Sequence, residues 1–78
     1  AVKVYPNPST GLVHISVDQT EELETLIEII NTIGEVIYHK SNGNRTEEVI
    51  DLSQHARGLY FLKVTSDNQV RMRKILLQ

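Results

Sequence analysis

Three histidines, an acidic run and a basic cluster are the side chains in this 78-residue sequence with chemistry to offer. An imidazole metal site needs its ligands close together, at i, i+4 on a helix or within a short loop. His14, His39 and His55 lie on three separate segments without that spacing, so solvent-facing imidazoles are expected and no metal is assigned. Asp18, Glu21, Glu22 and Glu24 could present oxygen ligands to a hard cation. They lack the ordered Asp/Asn spacing of a calcium loop and read instead as a solvated acidic loop. Glu47 and Glu48 are adjacent on a strand pattern, face opposite ways and cannot form a carboxylate pair. A Gly-x-Ser-x-Gly elbow is missing, as is a glycine-rich phosphate loop, since the four glycines stand singly at turns. Without cysteine there are neither disulfides nor thiolates. No catalytic residue and no cofactor follow from these patterns, and an enzyme is the least favoured reading.

Arg71, Arg73 and Lys74, with Lys63, make the one basic cluster. Nucleic-acid binding calls for a basic domain with exposed aromatics interleaved, whereas the formal charge here is −2 and the aromatics are three Tyr and one Phe. Charged gatekeepers on a hydrophobic edge strand account for the arginines. Asn44-Arg45-Thr46 fits a glycosylation sequon, a common coincidence; Asn7-Pro8-Ser9 is excluded by its proline. No apolar run approaches the ~18 residues of a membrane span, and no signal peptide opens the chain. Starting at Ala1 without Met, directly in a strand pattern, the sequence reads as one domain excised from a longer polypeptide.

The elements that would carry these residues are strands. Gly58-Leu59-Tyr60-Phe61-Leu62-Lys63-Val64 is the strongest strand signal, apolar on both faces for most of its length, and so belongs in the middle of a sheet. Val2 and Val4 alternate with Lys3, and Tyr5-Pro6-Asn7-Pro8-Ser9-Thr10-Gly11 then makes a stiff bend. In residues 12–17, Val13, Ile15 and Val17 point inward. The next segment is ambiguous: Leu23, Leu26, Ile27 and Ile30 fit a helix, with Asp18 and Glu21 as a capping box, while Thr25, Ile27 and Ile29 fit one face of a strand. Strand is chosen, because Asn31-Thr32-Ile33-Gly34 turns tightly into another β pattern over 35–40, with Val36 and Tyr38 on one face and Ile37 on the other. Asn42-Gly43 marks a hairpin turn. Residues 46–52 follow with Ile50 and Leu52 inward, then a loop over 53–57, the central strand, a turn at 66–69 and a last strand over 70–77. Seven short strands separated by turn chemistry predict an all-β, two-sheet antiparallel sandwich. Tyr60, at the entry to the central strand, is expected to bury its ring and turn its hydroxyl to a backbone group.

Several of these segments, in this order, resemble one family: Val4-Tyr5-Pro6-Asn7-Pro8-Ser9-Thr10-Gly11, Asn31-Thr32-Ile33-Gly34-Glu35-Val36, Ile50-Asp51-Leu52-Ser53, residues 58–64, and a closing Lys74-Ile75-Leu76-Leu77. Together they look like the type A carboxy-terminal sorting domain of the type IX secretion system, the Por secretion tail, over almost the whole chain. That resemblance implies a seven-stranded immunoglobulin-like sandwich at the end of a secreted protein from a Bacteroidetes-type bacterium. It implies a folded tail read by the outer-membrane translocon, usually removed by a sortase-like peptidase, with the amino-terminal cargo released or attached to the cell surface. The motif positions carried over are Tyr5, Pro6, Asn7, Pro8, Gly11, Gly58, Tyr60, Lys74, Ile75, Leu76 and Leu77. Nucleic-acid binding and membrane insertion are not implied. The rival readings are an accessory carbohydrate-binding or adhesion module, for which the aromatics are few, and an inert spacer between domains.

Overall fold

The computed structural model describes residues 2–17, 24–41, 47–66 and 69–78. The capping-box pair Asp18 and Glu21, the Asn42-Gly43 turn and the sequon at Asn44 lie outside the described residues. The described residues form seven strands: β1 (Val2–Tyr5), β2 (Leu12–Val17), β3 (Thr25–Ile30), β4 (Val36–Ser41), β5 (Glu47–Asp51), β6 (Gly58–Ser66) and β7 (Gln69–Leu77). They pair antiparallel in two sheets, β1-β2-β5 and β4-β3-β6-β7. The chain is thus all-β and sandwich-like.

The two inner faces share one aliphatic core. Val2, Val13, Ile15, Val17, Ile50 and Leu52 come from the three-stranded side, and Ile27, Ile29, Leu62, Val64, Ile75 and Leu77 from the four-stranded side, with Tyr60 among them. The ambiguous segment is a strand: Thr25, Ile27 and Ile29 are buried while Leu26 is exposed. Alternation wins over helical periodicity here because β3 lies between β4 and β6, where both of its edges are hydrogen-bonded. β6 likewise has neighbours on both sides, β3 and β7. Tyr60, Leu62 and Val64 enter the core, and Leu59, Phe61 and Lys63 lie on the outer face.

One face assignment is corrected. The register of β3 with β4 shifts between Ile29, opposite Tyr38, and Ile30, opposite Val36, so Ile37 is an extra residue on β4. A bulge of this kind breaks strict alternation. Ile37 and Tyr38 both pack against the core, while Val36 is exposed.

The β3–β4 turn is built by Asn31. Its Oδ1 accepts the amides of Ile33 and Glu35 at 3.1 and 2.9 Å, and its carbonyl accepts the Gly34 amide at 3.1 Å. Gly34 has φ +90° with open space around it, a conformation that a side chain would strain. The loop over 53–57 is a turn, closed by the His55 amide on the Leu52 carbonyl at 3.0 Å.

Candidate recognition surface

The Pro-stiffened bend does more than join two strands: it covers part of the edge of β7. Asn7 lies between Pro6 and Pro8, whose preceding peptide bonds are both cis, and its side chain lies beside the last strand. Its Nδ2 donates to the Lys74 carbonyl at 2.7 Å and its Oδ1 accepts the Leu76 amide at 3.1 Å. A side-chain carboxamide thus takes the place of a peptide group in a missing neighbour strand. Ser9 continues the pattern with real backbone: its amide donates to the Leu76 carbonyl and its carbonyl accepts the Gln78 amide, both at 2.8 Å. Ser9 and Leu77 form a parallel bridge. Four polar groups at the end of β7 that would otherwise face water as a raw edge are satisfied this way.

The bend is anchored in turn to the loop after β5. Ser9 is buried, and its hydroxyl donates to the Leu12 carbonyl at 2.7 Å and accepts the Gly11 amide at 3.1 Å. The Gly11 carbonyl accepts the Leu52 amide at 2.9 Å. A Cβ on Gly11 would lie 3.2 Å from the Ser53 Cβ, a tight contact that would press the loop back by a few tenths of an ångström. On that loop the Ser53 hydroxyl and then its amide bond the Asp51 carboxylate and hold its pKa below the ordinary 3.8.

β6 places the remaining motif residues nearby. Gly58 pairs with Leu77 and Tyr60 with Ile75. The Tyr60 ring is buried and its hydroxyl donates to the Ala56 carbonyl at the corner, as the sequence leads one to expect. Tyr5, Pro6, Asn7, Pro8, Gly11, Gly58, Tyr60 and the closing Lys74, Ile75, Leu76 and Leu77 therefore sit around one junction between the first bend and the last strand. They do not share a role. Ile75 and Leu77 are core, at 0% and 5% exposure, whereas Lys74 and Leu76 project outward beside the exposed Pro6, Asn7 and Pro8. Tyr5 is 45% exposed and stacks on His14, with ring centroids 5.2 Å apart.

The sequence reads the bend as a rigid connection and does not show that Asn7 and Ser9 act as a surrogate strand. The one local signal was the placement of a small carboxamide between two prolines, which have no backbone N–H to offer a ladder. It also missed Glu48, which is 9% exposed and pairs with Lys40 at 2.7 Å across the β4–β5 flank. The three histidines remain apart on β2, β4 and the 53–57 loop. No group of His, Asp or Glu that could hold a metal ion occurs among the described residues.

The molecule so described displays a surface where its first bend meets its last strand. It belongs to the secretion system C-terminal sorting domain family, whose profile matches residues 3–78. This is the type IX secretion tail that the sequence resembles. Proteins carrying such a domain are exported, and the domain interacts with the secretion machinery. No curated protein matches the chain.

Proposed function

We propose that this chain is the carboxy-terminal export address of a larger secreted protein, read in its folded state by the outer-membrane translocon of the type IX secretion system. The observation that carries this reading is the junction of the bend with β7. Half of the closing motif, Ile75 and Leu77, is buried in the core, and the Gln78 amide is bonded to Ser9. A receptor reading residues 74–77 as a linear peptide would have to unfold a strand. Reading the folded junction requires no such cost, because Lys74 and Leu76 already project outward beside the rigid bend, and pre-ordered contacts lose little entropy on binding. A sortase-like peptidase then separates the address from its amino-terminal cargo, which is released or held at the cell surface. The domain performs no reaction of its own. Its sandwich is of the immunoglobulin-like kind, a reading supported by the tyrosine corner that Tyr60 makes with Ala56, four residues upstream.

Fusing residues 1–78 behind a periplasmic reporter, in a host with this secretion system, should send the reporter outside the cell. Deleting residues 74–78 should abolish export, but that deletion also removes Ile75 and Leu77 from the core. Lys74→Glu with Leu76→Ser keeps the core, and export of that fusion should fall while its melting temperature stays close to wild type. Retention of the wild-type fusion in the periplasm defeats the reading; normal export of the surface variant defeats the role of the closing motif.

A further inference from the structure

β7 is an edge strand with one half covered and one half open. Bonded pairs alternate along an antiparallel ladder, and at Lys74, Leu76 and Gln78 it is the even-numbered residues whose peptide groups turn away from β6 to meet the bend. Val70 and Met72 follow the same alternation, but nothing of the bend reaches them. Among the described residues, the outward peptide groups of Val70 and the Met72 amide have no bond. The Met72 carbonyl accepts Arg73 Nη1 at 2.7 Å. The side chains of Val70 and Met72 are 55% and 45% exposed.

The charges on this half decide what can pair with it. Arg71 and Arg73 flank Met72, and their bonds go to neutral oxygens: Arg71 to Gln69 Oε1 at 3.0 Å, Arg73 Nε to the Val2 carbonyl at 3.1 Å. Neither pairs with a carboxylate among the described residues. A second copy adding its own β7 antiparallel about Met72 would set Arg71 against Arg73 twice over, and like charges directly opposite are destabilising. A segment with carboxylates at those positions gains on both.

We propose that the open half of the β7 edge, Val70 to Arg73, takes up an extended acidic segment of a partner protein by strand addition. That segment alternates carboxylate residues opposite Arg71 and Arg73 with apolar residues opposite Val70 and Met72. Main-chain bonds give the affinity and the alternation gives the selectivity. The added strand is short, because the Asn7 carboxamide occupies the edge from the Lys74 carbonyl onward, and Arg73 must release the Met72 carbonyl to admit it. The inference deepens the export reading by giving the chemistry of the partner, and only the assignment of that partner to the secretion machinery rests on that reading.

The test is a titration of the isotope-labelled 78-residue chain with the hexapeptide Asp-Val-Asp-Val-Asp-Val, followed by NMR. Saturable shifts should appear at the amides of Val70 and Met72. Arg71→Glu should weaken binding several-fold, since a half-buried attraction becomes a repulsion of similar size. A lysine-valine peptide should not compete, and raising ionic strength should weaken the complex whether or not the variant folds. Absent shifts, shifts confined to β4 or β5, or equal affinity for the lysine peptide overturn the proposal. So does a roughly tenfold gain in affinity when Asp18, Glu21 and Glu22 are neutralised, since the chain's own acidic run would then be the occupant. Peptide binding without export of the reporter fusion leaves the edge chemistry standing and removes the export reading; export without peptide binding does the reverse.

Discussion

The two flanks of the sandwich close by different means. On one, the edge strands β4 and β5 turn Lys40 and Glu48 inward, where Nζ meets Oε1 at 2.7 Å. On the other, β7 is met by the bend, whose Asn7 and Ser9 bond the Lys74, Leu76 and Gln78 main chain directly. Inward charges protect an edge by making intrusion costly, and they tolerate small shifts of register. Main-chain bonds protect by occupying the edge, and they hold only if bend and strand meet at one register. The first device guards the molecule. The second also fixes a shape, which is what an address requires.

The largest effect should come from the core beneath the bonded flank. Tyr60→Ala removes a buried ring and its corner hydrogen bond, and should cost about 3–5 kcal/mol in chemical denaturation. A cooperative variant of near-normal stability would detach the bend junction from the core. Tyr60→Phe keeps the ring and should cost about 1 kcal/mol, the usual net value of one hydrogen bond.

Breaking the charged flank comes next. Among the described residues Glu48 Oε2 already lacks a hydrogen-bond partner in its buried position, and Lys40→Ala leaves Oε1 without its cation as well. The loss should be about 1–2 kcal/mol, limited because Lys40 is 42% exposed and water can enter. The double variant Lys40→Met/Glu48→Leu should recover stability, since apolar replacements often match a buried pair. It should also aggregate at lower concentration, read by light scattering, because both edges lose their inward charge. If the double variant stays as soluble as wild type, the pair does not guard this flank.

Breaking the bonded flank should cost less in stability and more in order. Asn7→Ala loses a donor and an acceptor at an exposed site where water can substitute, so about 1 kcal/mol is expected. The Leu76 amide should exchange with solvent much faster, while amides of β3 keep their protection. Unchanged exchange at Leu76 would show that the carboxamide is not what holds the edge.

How far this contrast was legible in the sequence follows from the range of each interaction. Strands and their inward faces were readable because period-two burial is local: Val13, Ile15, Val17, Ile27, Ile29, Ile50 and Leu52 all sit where alternation puts them. Tyr60 was readable because its hydroxyl meets Ala56 only four residues away. The bulge at Ile37 was not, since nothing in 35–40 announces an extra residue and the shift shows only against Ile29 and Ile30. The two flank devices were not readable either. The Asn7 bond to Lys74 spans 67 residues, and the prolines around Asn7 mark a special position without naming the strand it meets. Lys40 and Glu48 are eight apart, but on strands of different sheets, so their meeting depends on how the layers stack.

The smallest expected effect is the dependence on acid. Asp51, the exposed last residue of β5, has its pKa depressed by the hydroxyl and amide of Ser53, the residue against which Gly11 packs. Because the folded value lies below the unfolded one, the carboxylate contributes stability above pH 3.8. That contribution fades as pH falls through the folded value. Ser53→Ala removes the hydroxyl bond and should flatten this part of the acid limb of a stability–pH curve, leaving the limb near neutrality unchanged. The same variant leaves Lys40 and Glu48 untouched, so an altered slope that persists in Asp51→Asn would assign the acid sensitivity to another carboxylate.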